Sequence, residues 1–414
     1  MPAASSTGDP TQVPAPLTAK DITVGGIGPV CRGRLTTGID AWLVTRYDEV
    51  AAALTDHRLV MSAPEIQADL VARGELPERF GSLFQRRTKT LLSTDPPEHT
   101  RLRRLVNPSF VGRRIEALRP RAQEICDGLA AAMAVSADSG QAVDVISSFA
   151  FPLSVMMICE LLGVPAKDRE KFREWSQAIV FDHGDRESVA AYAQGAASLD
   201  EYFGTLVECK RTQPAEDLVS QLVASYELEP VTDDAELRAM LSLLLIAGYE
   251  TTANLIGNSV LLLSRHPDQL AVLRHDPTLL PAAVEECLRH VGPVAFSSMR
   301  FTTDDIQFGE VTVPRGQVVA LGLWAADHDP ERFTDPNTFD VSRKDNTHLA
   351  FGRGAHFCVG AALARMEAQV GLGTLVRLFD RFTLGVTEDE LRWRPANTRG
   401  PRQLPIVLTR RPVE

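Results

Sequence analysis

The 414-residue chain has no CxxC pair, no clustered cysteines and no long apolar run. Its cysteines stand far apart, at Cys31, Cys126, Cys159, Cys209, Cys287 and Cys358, which argues against a zinc site or disulfide framework and for a reduced, cytoplasmic setting. For the first five, a small buried hydrophobe is the plain reading. The longest apolar run, LSLLLIAG at 241–248, is too short to span a bilayer and reads as a core helix, and no arginine-led apolar stretch marks a secretion signal. A basic excess is also lacking. The net charge is -11, so the chain as a whole is not built to coat nucleic acid or an anionic membrane. GRG at 352–354 lacks the rest of GxGxxG, and GGIG at 25–28 meets Cys31 at the last glycine position, which leaves a dinucleotide site weakly supported.

What is present is an ordinary globular composition, 44% hydrophobic and 23% charged, on a chain long enough for a large core. Residues 1–18, rich in Pro, Ala, Ser and Thr, read as a disordered tail, and 19–414 as a single unit with no repeat or long linker. AWLVTRYDEVAAAL (41–54) passes from strand to helix, and most segments from about 113 to 290 follow the helical period. DIQFGEVTV and GQVVALGLW flank Pro314-Arg315-Gly316, which predicts a hairpin there. The expected fold is mainly α with a smaller antiparallel β part, as one large unit with a helix-rich and a sheet-rich region.

Cys358 lies in FGRGAHFCVGAALAR (351–365), just ahead of Val359, Ala362, Leu363, Met366 and Val370, which share one helix face. At a helix start, free backbone N–H groups and the helix dipole favour negative charge, so the thiol is expected to ionise more readily than a free one. Gly352, Gly354 and Gly360 leave room beside it. A nucleophile would need a base, for which His356 is available only if both side chains point the same way. A flat cofactor would make better use of the glycines, and iron takes a soft sulfur ligand well.

Phe351, Gly354, Cys358 and Gly360 match FxxGxxxCxG, the haem-binding signature of cytochromes P450, and the longer FGxGxHxCxGxxLAR form is similar to bacterial members. Four such fixed positions arise by chance about once in a thousand sequences of this length. The resemblance implies the cytochrome P450 fold, haem b, and Cys358 as axial ligand of the haem iron. It extends to three other segments in order. In AAVEECLRH, Glu286 and Arg289 match the family's buried ExxR pair, joined by an arginine, for which Arg343 is preferred over Arg332. In AGYETT, Ala247 and Gly248 would let the helix pass close to the ring with a local distortion, and Glu250 and Thr251 match the acid–alcohol pair that delivers protons. In DPPEHTRLRR, His99 and Arg103, together with Arg300 and His356, match positions that bind haem propionates. Phe351, Gly352 and Gly360 complete the expected haem contacts.

By resemblance the chemistry is that of a monooxygenase: O2 is activated with electrons from a ferredoxin and its reductase, and one oxygen atom enters a small molecule. Between residues 99 and 121 seven arginines stand against one acid, Glu116. This patch, including Arg103, Arg104, Arg113 and Arg114, is either a solvated face or the dock for an acidic ferredoxin. Pocket walls are expected in the segment from about 60 to 92, at Phe181, Leu244 and Ala247, at Val294, Ala295 and Phe296, and near Ile406, positions that are equally suited to a core. The motif style resembles actinobacterial enzymes that tailor polyketides and macrolides, which implies a bulky, mostly apolar substrate and a monomeric enzyme. Oxidative coupling or rearrangement, use of peroxide, a carrier-bound, terpenoid or fatty-acid substrate, and a haem sensor are the alternatives; the intact Glu250–Thr251 pair argues against the peroxide user and the sensor.

Overall fold

The computed structural model describes residues 28–35, 38–76, 89–180, 186–228, 233–393 and 397–411. The tail 1–18 lies outside these residues. Six helices position the site: α1 (Glu98–Val106), α2 (Arg119–Asp138), α3 (Phe151–Leu162), α4 (Asp234–Arg265), α5 (Leu280–Val291) and α6 (Ala361–Leu378). They share one large apolar core, to which Leu102, Ile125, Phe149, Leu153, Leu245, Leu288 and Leu372 contribute.

Helix α4 is the axis of that core. Asp233 caps it by accepting the Ala235 N–H at 2.9 Å, and Asp234 and Glu236 place negative charge in the first turn. It ends at His266 because Pro267 follows, and the residue before a proline is driven out of the helical region. By length and composition α4 could cross a bilayer, but α3, α5 and α6 pack around it and much of it is buried, as in the core helix of a folded protein.

The β part comprises β1 (Val30–Arg34), β2 (Asp40–Val44), β3 (Leu59–Val60), β4 (Ala142–Asp144), β5 (Arg300–Thr302), β6 (Ile306–Phe308), β7 (Val311–Val313), β8 (Val318–Leu321), β9 (Phe379–Leu384) and β10 (Pro405–Arg410). The largest sheet has the order β1-β2-β8-β5-β3, and a three-stranded sheet runs β4-β10-β9. The strand pairings are antiparallel except that β2 and β8 pair in parallel, which requires the long crossover that the helical body provides. One expectation needs correction. Pro314-Arg315-Gly316 is not the tip of a hairpin: β6 pairs with β7 around Gly309, whose φ of 54° suits a tight turn, while β8 leaves to pair with β2 and β5.

Candidate active site

The cysteine loop closes on itself. The Cys358 N–H donates to the Phe351 carbonyl at 2.9 Å, and Gly354–His356 make one 3-10 turn capped by Phe357 N–H on the Gly354 carbonyl at 3.1 Å. Gly352 and Gly354 have φ of 69° and 75°, and a Cβ on Gly354 would stand 2.9 Å from Thr55 Cγ2, so the loop both needs left-handed backbone and presses against the neighbouring turn. Beneath it the Arg365 guanidinium lies 4.5 Å from the Phe351 ring and grips Glu285 with two hydrogen bonds of 2.7 and 2.8 Å. These contacts, with His348 also on Glu285, hold the carboxyl down at about 2 despite its burial.

The expected easy ionisation of Cys358 is not what its surroundings favour. The residue is half-buried, and the protein around the sulfur pushes the thiol up. The Gly360 N–H, Arg103 and Arg365 pull the other way without reversing it. α6 begins at Ala361, beyond the cysteine, so of its amides little reaches the sulfur.

Across the loop, three cationic or donor side chains meet. The rings of His99 and His356 are 4.2 Å apart, and Arg300 is buried beside them. Among the described residues, His99 Nε2 and Arg300 Nε are buried with no hydrogen-bond partner, and Arg300 otherwise makes one long bond of 3.4 Å to the Leu59 carbonyl. The nearby carboxylate of Asp95 is occupied by the Met61 and Ser62 N–H groups. Burial first, then the charges of His99 and Arg300, pushes His356 down to about 4; burial also lowers His99 and Arg300. Buried donors left open in this way fit an anionic guest, and the two carboxylates of a haem fit this set. Arg103 is placed differently from the other three. Its Nη1 donates to the Phe357 carbonyl at 2.6 Å and its Nε to Asn107 at 2.8 Å, which ties it to the cysteine side of the loop.

On α4, Ala247 is exposed in mid-helix, Thr251 Oγ1 donates to the Ala247 carbonyl at 2.8 Å, and Thr252 Oγ1 to the Gly248 carbonyl at 2.9 Å. These bonds compete with the helical ladder, yet the helix runs unbroken through AGYETT, so the expected local distortion is not an interruption. Gly248 also differs from expectation. A Cβ there would lie 3.0 Å from Ile158 on α3, so its lack of a side chain serves helix packing, and Ala247 alone presents the bare face. Glu250 is half-buried and accepts a hydrogen bond from Thr398 at 2.7 Å, a partner 148 residues away that no local pattern signals.

Glu286 and Arg289 are fully buried and paired at 2.7 and 2.8 Å, and Arg343 joins Glu286 at 3.2 Å. Arg289 also donates to the carbonyls of Asp327 and Pro336 at 2.9 and 2.8 Å. Arg332 is elsewhere, paired with Asp345 and lying over Tyr47 and Phe333. Of the basic stretch, Arg101 is paired with Glu98 and Glu236, Arg119 with Glu116, and Arg121 with Glu124 and Glu160, which makes the exposed cationic face smaller than the residue count. Arg104, Arg113 and Arg114 remain exposed near exposed Val111 and Phe357.

Among the expected pocket positions, Val294 and Phe296 are half-buried, while Leu244 and Ala295 are buried with little surface to offer. Ile406 is a correction: it is fully buried in β10 between β4 and β9, in the core. The chain reaches the pocket side earlier, at Asn397 and Thr398, which pair with 294–296. Phe181 and residues 77–88 lie outside the described residues.

The cytochrome P450 family model matches residues 197–398. Cytochrome P450 107B1 of Saccharopolyspora erythraea is 44% identical over 379 residues, covering 91% of this chain and 92% of that one. The mycinamicin IV hydroxylase/epoxidase of Micromonospora griseorubida is 40% identical over 382 residues, 92% of each. The tirandamycin C-bound P450 monooxygenase TamI superposes with a TM-score of 0.80 at 40% identity, covering 92% of this chain and 94% of that one. With its fold, its cysteine loop and its relatives in agreement, the chain belongs to the cytochrome P450 family of haem b monooxygenases, alongside actinobacterial members that tailor secondary metabolites.

Proposed function

We propose that this enzyme inserts one oxygen atom, by hydroxylation or epoxidation, into a bulky, mostly apolar polyketide- or macrolide-type molecule in the cytoplasm. The observation that carries the site assignment is the His99–His356–Arg300 set, in which buried His99 and Arg300 hold open donors beside His356 of the Cys358 loop. Cys358 would hold the haem iron through its sulfur, and the haem would supply reductive activation of O2. His99, His356 and Arg300 would hold its carboxylates, with Arg103 bracing the carbonyl of Phe357 next to Cys358. Glu250 exchanges protons with solvent and Thr251, next to it on α4, passes them on. The Glu286–Arg289–Arg343 network keeps the cysteine loop in register. The substrate reading rests on half-buried apolar Val294 and Phe296 and on the relative that hydroxylates or epoxidises mycinamicin IV.

P450 enzymes of this family take electrons from redox partners, and the partner proposed here is an acidic ferredoxin, supplied by its reductase. It docks on the face bearing Arg104, Arg113, Arg114, Val111 and Phe357, where charge sets the encounter rate. Electron transfer is then expected to slow with added salt and with Arg113→Glu; salt-independent reduction excludes this face. For the ligand, the reduced protein with CO is expected to show the red-shifted band of a thiolate haem, and Cys358→His to abolish it. A spectral screen of macrolactones against fatty acids and terpenoids tests the substrate class by the spin shift each produces.

A further inference from the structure

Glu250 is held from outside its own helix. The Thr398 hydroxyl donates to its Oε1 at 2.7 Å, and Thr398 is itself fixed on both flanks. It bridges Val294 in antiparallel fashion. Before it, the Asn397 carbonyl accepts the Ala295 N–H at 3.0 Å, and the Asn397 side chain takes the N–H and carbonyl of Phe296 at 2.9 and 2.7 Å. After it, the Arg399 N–H donates to the Pro293 carbonyl at 2.7 Å, and the Arg399 carbonyl accepts from Asn258 Nδ2 at 2.9 Å. Gly400 completes the fit, since a Cβ there would stand 2.2 Å from Asn254 Oδ1. Glu250, Asn254 and Asn258 follow at i, i+4 and i+8, so a single face of α4 meets this segment.

We propose that Thr398 is the positioning residue for Glu250: its hydroxyl holds the carboxylate against the pocket wall made by 294–296 and 397–398. The wall that contacts substrate then also sets the direction from which the acid passes its proton. The proposal rests on the reading of Glu250 as the proton-delivery group. A glutamate has several rotatable bonds and, half-buried, adopts one orientation only if a partner selects it. A hydrogen bond to an ionised oxygen is among the stronger ones available for that purpose. The hydroxyl keeps acceptor capacity while it donates, so it can hold Glu250 and still accept a proton-bearing neighbour. Valine at 398 keeps the shape and loses both properties.

The test uses the haem-loaded enzyme with Thr398→Val, Thr398→Ser and Glu250→Gln, each first shown to keep the CO band. In the resting state, without turnover, the Glu250 carboxylate infrared band is assigned by difference against Glu250→Gln. It is expected to shift in Thr398→Val and to return in Thr398→Ser. During turnover, with a plant-type ferredoxin, its reductase and the macrolactone giving the largest spin shift, the product-to-peroxide ratio is expected to fall about tenfold in Thr398→Val and to recover in Thr398→Ser. An unchanged band and ratio in Thr398→Val overturn the proposal, as does a Thr398→Ser variant as impaired as valine, which would assign the effect to wall shape. If Glu250→Gln leaves the ratio unchanged, the proton-delivery reading fails and the proposal with it. If Glu250→Gln lowers the ratio and Thr398→Val does not, only the positioning role fails.

Discussion

Two clusters of polar side chains, one of them reaching the cysteine loop through His356, are built on opposite principles. Glu286, Arg289 and Arg343 satisfy one another: the carboxylate faces two guanidiniums, and the remaining N–H groups end on carbonyls from 327 to 338. His99, His356 and Arg300 gather donors with no carboxylate among them and leave His99 Nε2 and Arg300 Nε open. Burial is costly for both, because a charge removed from water must find its partner in the protein. The first cluster carries its partners within the chain and acts as framework. The second is complete only with a guest that brings negative charge, so a shortfall of partners is itself a sign of a binding site.

The largest effect that would test this contrast is on the framework. Arg289→Leu leaves Glu286 buried and short of a partner, expected to cost about 3–5 kcal/mol, a large share of a typical stability of about 5–15 kcal/mol. Thermal melts of both apoprotein and holoprotein are expected to fall together. Arg300→Leu is expected to behave in the opposite way, leaving the apoprotein melt unchanged or raised while haem passes to apomyoglobin about tenfold faster, as loss of one charged contact predicts. An apoprotein weakened as much by Arg300→Leu as by Arg289→Leu would erase the distinction.

A smaller effect concerns pH. His328, buried beside the framework, is pushed down to about 3, by burial first and then by the charges of His290, Arg289 and Arg399. Its folded value lies below the unfolded one of about 6.5, so the folded state binds fewer protons there. Its contribution to stability is therefore present above pH 6.5 and lost as pH falls toward 3. His328→Gln is expected to flatten the fall of the melting temperature over that window, equally with and without haem, because this region is framework. The smallest expected effect is Gly248→Ala, whose methyl meets the end of Ile158 at 3.0 Å; overpacking of about 1 kcal/mol is set against the gain of about 1 kcal/mol for alanine over glycine inside a helix. The melt is expected to move little and the CO band to stay in place.

Much of the site is readable in the chain because its signals are local. The span of α4 follows from the Asp233 cap, the apolar period and Pro267, all within one segment. The cysteine loop is marked by glycines whose left-handed backbone, at Gly352 and Gly354, only that residue adopts freely. The hairpin was misplaced because Pro-Arg-Gly and Gly-Glu are both good turns, and strand pairing, which is not local, chose between them.

Sequence by itself determined the family, the order of the elements, the ligand cysteine's loop and the pairing of Glu286 with Arg289, because each is encoded within a few residues by spacing, capping or backbone preference. Tertiary structure decided the rest. It used Gly248 for Ile158, buried Ile406 in the core, raised the Cys358 thiol and brought Thr398 to Glu250. Those outcomes depend on which surfaces from separate segments meet, and on how much water that meeting removes, quantities no short stretch of chain contains.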